Sequence, residues 1–149
     1  HQPASTFVAG FIGSPPMNFL AVKVVEEGGS LAIDEGSFKL KVAAEHIPLL
    51  KPYVGKEVVF GIRPEDLPCV DGKAGGNLIK AKVSVVEPLG AEIHLYANTK
   101  AHSMVARVPP HHVFKIGDEV VFEPVMEKAR YFDTDTEISI IPVKWDELA

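Results

Sequence analysis

Apolar and polar residues alternate along this chain in short runs, and clusters of glycine, proline and aspartate separate the runs. Alternation with a period of two predicts strands with one face buried. The pattern predicts strands over residues 19–26, 31–33, 38–42, 57–63, 78–87, 92–96, 104–108, 119–125 and 137–141. Gly28-Gly29 turns the first of these, and the second and third form a hairpin around Asp34-Glu35-Gly36. Pro64 stops the fourth, and Pro88-Leu89-Gly90 joins the fifth to the sixth. Helix is expected only over 5–12 and within 43–50. Ser5 or Thr6 can cap the first helix, Gly13 can end it, and Pro15-Pro16 forbid its continuation. Short strands at this spacing, with little helix, predict an all-β barrel or sandwich rather than an α/β sheet.

One stretch echoes another. Val54-Gly55-Lys56-Glu57-Val58-Val59-Phe60 nearly repeats as Ile116-Gly117-Asp118-Glu119-Val120-Val121-Phe122, and Glu65 and Glu127 each lie eight residues beyond the first glutamate. The echo is either shared turn-plus-strand chemistry or the trace of a duplicated β unit. In both cases it predicts two similar halves closing into one barrel-like body.

Length and composition narrow this picture. A chain of 149 residues fits one domain or two very small ones and needs no staples, and Cys69 is its single cysteine. Fifteen basic residues stand against 20 acidic ones, for a formal charge of −5, and no basic run is longer than two residues. That balance counts against nucleic acid as a partner. No apolar run approaches the roughly 20 residues of a membrane span. The chain begins at His1; the expectation is that a longer protein continues upstream.

Generic catalytic motifs do not emerge. A P-loop needs a lysine and a hydroxyl after its last glycine, at a helix N-terminus; Gly72-Lys73-Ala74-Gly75-Gly76 has its lysine early and leads into a predicted strand. His94 and His102 sit on neighbouring predicted strands and could face each other, but no cysteine or carboxylate pattern completes a zinc set. His111 and His112 are adjacent and point to opposite faces of an extended segment. Asp133-Thr134-Asp135-Thr136-Glu137 lacks the glycine and distant glutamate of a calcium loop. Glu65 and Asp66 directly follow Pro64 and read as a turn cap.

Four longer segments are more specific. Residues 7–19, Phe-Val-Ala-Gly-Phe-Ile-Gly-Ser-Pro-Pro-Met-Asn-Phe, closely resemble the junction that opens the C-terminal regulatory region in ATP-binding subunits of carbohydrate ABC importers. Gly61-Ile62-Arg63-Pro64-Glu65-Asp66 resembles a second hallmark of that family. Residues 83–90 resemble a third, and the segment from Glu127 ending in Phe132-Asp133 a fourth. They occur in the family's order and span nearly the whole chain.

The resemblance implies a TOBE-type, OB-like β-barrel built from two parts. Residues 1–16 would be a junction helix and linker from an upstream nucleotide-binding domain, and 17–149 the regulatory domain. It implies a non-catalytic module that docks on its own nucleotide-binding domain and pairs with a second copy. ATP and Mg²⁺ would belong to the upstream domain, and membrane permease subunits would be reached only through the parent protein, on the cytoplasmic face. The family-motif residues are Phe11, Gly13, Pro15, Met17, Asn18, Phe19, Arg63, Pro64, Glu65, Phe132 and Asp133. Among them, Arg63, beside Pro64 and Glu65, could supply a bidentate ion pair that pins the strand exit. Met17 and Phe19 lie either at a meeting of two bodies or in the core. Phe132 is either an exposed aromatic anchor for a second copy or ordinary core packing. Competing readings are a sensor of a small oxyanion or sugar, an oligonucleotide-binding barrel face, and an enzyme, for which no residue set presents itself.

Overall fold

Strand alternation places every second side chain of the long strands in one shared interior. The computed structural model describes residues 17–70, 76–110 and 112–134. β1 (Asn18–Glu27) buries Asn18, Leu20, Val22 and Val24 and turns Phe19, Ala21 and Lys23 the other way. Gly28 and Gly29, at φ 56° and 82°, make the turn to β2 (Ser30–Asp34), which pairs in turn with β3 (Lys39–Lys41). A 3-10 turn (Ala44–His46) runs into the single-turn helix α1 (Ile47–Leu50) and a second 3-10 turn (Lys51–Tyr53). Pro48 lies in the first turn of α1, where its missing N–H costs no helical bond. The helix expected within 43–50 therefore forms in two pieces.

β4 (Glu57–Ile62) returns to pair with β1, and the 3-10 turn Pro64–Asp66 follows it. The second half repeats the plan with β5 (Ile79–Pro88), β6 (Ile93–Asn98), β7 (Ser103–Val108) and β8 (Glu119–Phe122), closed by a 3-10 turn at Met126–Lys128. β8 ends before Pro124, short of the expected 125, because proline has no N–H to donate to the ladder. A strand that the alternation does not predict, β9 (Arg130–Asp133), follows. The helix expected over 5–12 and the strand expected over 137–141 lie outside the described residues.

The sheets are β3-β2-β1-β4-β9 and β7-β6-β5-β8, all neighbours antiparallel. Each half is thus a three-strand meander whose fourth strand returns beside its first. The sequence echo sits at the same place in both. Gly55 N–H donates to Val24 O at 2.7 Å, and Val24 N–H donates to Lys56 O at 3.0 Å; Gly117 N–H donates to Val83 O and Val83 N–H to Asp118 O, both at 2.8 Å. Both glycines hold positive φ, 84° and 95°, which a side chain would resist.

The halves also exchange edges. The segment after β4 bonds to β8, with Val70 N–H donating to Val121 O at 2.8 Å and Glu123 N–H to Pro68 O at 3.0 Å. The segment after β8, which is β9, pairs with β4. One core therefore serves both sheets, with Leu20, Ile33, Phe60, Ile79, Leu95, Phe122 and Tyr131 all buried in it. This is an all-β fold of two curled sheets in two related parts, as the strand pattern implies.

Candidate interaction surface

Register brings the separated motif segments together. Phe19 of β1 pairs with Gly61 of β4, and Val59 of β4 pairs with Phe132 of β9, so residues from three segments share one end of one sheet face. Gly61 is the hub. A Cβ there would lie 2.7 Å from Met17 Sδ and 3.3 Å from a Phe132 ring carbon, so the missing side chain is what lets both pack over the strand. The Phe19 and Phe132 rings meet edge to face with centroids 5.8 Å apart. Phe132 is only 7% exposed. Of the two alternatives for Phe132, anchor or packing, this chain by itself shows a packed ring, covered because two aromatics and a thioether share the space above a glycine.

Asn18 lies on the opposite, interior face and acts as a spare peptide group. Its Nδ2 donates to Ile62 O at 3.1 Å and to Val105 O at 2.9 Å, and Val105 N–H donates to Asn18 Oδ1 at 2.8 Å. This buried amide joins β1 to the edge strand β7 of the other sheet. Asn77 does the same in reverse, with Lys41 N–H donating to Asn77 Oδ1 at 2.7 Å and Asn77 Nδ2 donating to Lys41 O at 3.1 Å. Sequence reasoning missed this pair. The signal was there: Asn18-Phe19-Leu20-Ala21-Val22-Lys23-Val24 is matched by Asn77-Leu78-Ile79-Lys80-Ala81-Lys82-Val83.

The bidentate pair expected of Arg63 does not form: among the described residues it has no ion-pair partner within 4.0 Å. It is exposed, its carbonyl accepts Asp66 N–H at 2.9 Å, and Pro64 is buried at the start of the turn. Glu65 instead lies 3.5 Å from Arg107 of β7, which also holds Glu92 at 2.9 Å. The Pro64 turn throws Glu65 toward the second sheet and away from its own neighbour. Asp133 accepts a hydrogen bond from Tyr53 Oη at 2.8 Å, tying β9 to the turn after α1. Phe11, Gly13 and Pro15 lie outside the described residues.

The histidines part company. His94 pairs with Glu92 at 2.8 Å and sits opposite Arg107 in the ladder, while His102 lies beyond the other end of the same hairpin. They do not face each other. Among the described residues no group of three His, Cys, Asp or Glu could hold a metal ion. His102 belongs to a clamp between sheets. Its Nδ1 lies 2.6 Å from Glu35 Oε2, and Ala21 N–H donates to its Nε2 at 3.1 Å, which selects the tautomer protonated on Nδ1. Thr99 Oγ1 donates to Glu35 Oε2 at 2.6 Å and Ser37 N–H to Oε1 at 3.0 Å. Burial pushes the Glu35 pKa up, but these donors outweigh it and leave it below the ordinary value.

A two-part OB-like β domain, with its halves cross-stitched by asparagines, is what fold and junction define. Residues 13–67 match the MalK OB fold domain and residues 60–132 the TOBE domain, overlapping where β4 passes from one half to the next. The chain belongs to this MalK-type OB/TOBE family, carried by the ATP-binding proteins of sugar ABC importers. It is 40% identical over 144 residues to the oligosaccharides import ATP-binding protein MsmX of Bacillus subtilis, covering 93% of this chain and 38% of that protein. It is 41% identical over 143 residues to the trehalose/maltose import ATP-binding protein MalK of Thermococcus litoralis, covering 91% and 37%. The chain thus spans less than two fifths of the length of these relatives. Among solved structures, the cytoplasmic molybdate-binding protein ModG superposes with a TM-score of 0.64 at 18% identity, over 76% of this chain and 94% of that one. That likeness is one of fold.

Proposed function

We propose that this chain is the non-catalytic regulatory and dimerisation region of a sugar ABC importer ATP-binding protein. The observation that carries the reading is the convergence of Met17, Phe19, Gly61 and Phe132 at one end of the first sheet. Its outward face there is apolar, with Ala21 and Val59 in register across β1 and β4 beside the covered Phe132 ring of β9. A second copy and the parent's nucleotide-binding domain are its partners, and ATP and Mg²⁺ act in that domain. The parent works as a peripheral subunit on the cytoplasmic face, reaching the permease through its ATPase domain. No helix among the described residues is long and apolar enough to cross a membrane.

Light scattering after size exclusion, over a wide range of protein concentration, tests the pairing. A dimer is expected, and Val59→Lys should dissociate it without changing the melting curve. A monomer at every concentration, or a dimer indifferent to Val59→Lys, would remove self-association through this face.

A further inference from the structure

The clamp that joins the sheets also shapes a cleft. Glu35 holds Ser37 from the β2–β3 turn together with Thr99 and His102 from the β6–β7 turn, fixing the two turns side by side. Between them and the outward face of β5 opens a cleft of about 670 Å³, lined by Ser37, Lys80, Lys82, Asn98, Lys100 and Glu119 among others. Lys80 and Lys82, two residues apart, project from the same face of β5. Lys100 comes from the β6–β7 turn. Three lysines and one glutamate thus line the cleft in a chain whose overall charge is −5. Among the described residues none of the three has an ion-pair partner within 4.0 Å, although Lys82 stands opposite Glu119 in the ladder. Three lysines along one cleft raise its positive potential and favour an anion there.

The polar lining has donors to spare. Ser103 Oγ donates to Asn98 Oδ1 at 2.8 Å, which fixes that amide and leaves its Nδ2 to donate elsewhere. Ammoniums are point charges suited to phosphate oxygens. The cleft is far larger than one inorganic ion and lies in the size range of small-molecule sites. We infer that it binds a phosphate ester of a small hydroxylated molecule, its phosphate held by Lys80, Lys82 and Lys100 and its body lying against Ser37 and Asn98. This site is separate from the motif face, and its test does not depend on the pairing of two copies.

Calorimetric titration of the 149-residue chain with glucose 6-phosphate, inorganic phosphate and glucose, at constant ionic strength, decides the matter. Saturable binding of the ester is expected, with inorganic phosphate weaker and glucose silent. Equal binding of ester and phosphate would show that the phosphate group alone is read, and would support the site. Replacing the three lysines together by glutamine should weaken binding by about tenfold or more, as expected when charge-assisted bonds are lost. Lys23→Gln, at the position in β1 that Lys82 takes in β5, should change nothing. An unchanged melting curve for the triple variant separates lost binding from lost fold. No heat with either phosphate compound, glucose binding as well as its phosphate, or a triple variant that titrates like the parent would each overturn the inference.

Discussion

Asn18 supplies three hydrogen bonds from one buried side chain, so truncating it takes that partner from the Ile62 and Val105 carbonyls and from Val105 N–H in a buried or half-buried setting. Asn18→Ala should lower the unfolding free energy by about 2–4 kcal/mol, given ~1–3 kcal/mol for each buried polar group left unmade. Asn77→Ala removes a similar pair at an exposed site, where water substitutes, and should cost about 1 kcal/mol or less. Urea titration of both variants checks the contrast; equal losses would contradict it. Gly61 gives a second residue-scale prediction. Gly61→Ala drives a methyl into Met17 Sδ, the far end of a flexible side chain, and into the less yielding Phe132 ring. The expected cost is about 1–3 kcal/mol, typical of an overfilled site. Met17→Ala in the same background should recover part of it, and a double-mutant cycle that found the two changes additive would show that the sulfur is not the obstacle.

Among elements, the strands of the two meanders were legible because each buries one face and alternates accordingly. β9 was not. Arg130-Tyr131-Phe132-Asp133 puts aromatics at adjacent positions, one into the core and one onto the motif face, so a strand buried on both sides loses the period of two. Contacts between elements were less legible still. Nothing in the sequence says that Glu35 meets His102 or that Glu65 meets Arg107, since both pairings depend on how one sheet lies against the other. The motif positions themselves were readable only through the family resemblance; their packing around Gly61 needed the register. The Glu35 clamp is the element-scale test. Glu35→Ala removes the acceptor of Ser37 N–H, of His102 Nδ1 and of the shorter Thr99 hydroxyl bond, the hydroxyl keeping His102 O at 3.3 Å, and should cost about 2–4 kcal/mol. Coupling between Glu35→Ala and His102→Ala should amount to about 1–3 kcal/mol in a cycle. A coupling near zero would mean that the two turns are held by other contacts.

At the scale of the whole molecule, stability should fall on the acid side. His46 is buried beneath Tyr131, and burial pushes its pKa below the ordinary 6.5. The unfolded chain therefore binds more protons there, and stability drops as pH falls from 6.5 toward the folded value. Glu35, held below its ordinary 4.5, adds a loss at lower pH as it protonates. Asp66 opposes this, since burial raises its pKa above 3.8 and the folded state there takes up the proton more readily. Melting temperatures should fall between about pH 7 and pH 5.5, the range in which histidine titrates. His46→Gln should flatten that slope, and an unaltered slope would acquit His46. The exchange of edges between the halves has a different consequence. A chain cut between residues 70 and 76 would yield two pieces, each holding a three-strand meander with its returning fourth strand, the first missing β9 and the second missing the segment 68–70 that bonds to β8. Neither piece should persist alone, yet the two should reassemble on mixing. By the same logic two intact chains at high concentration could trade halves, making a dimer from contacts that the monomer already has.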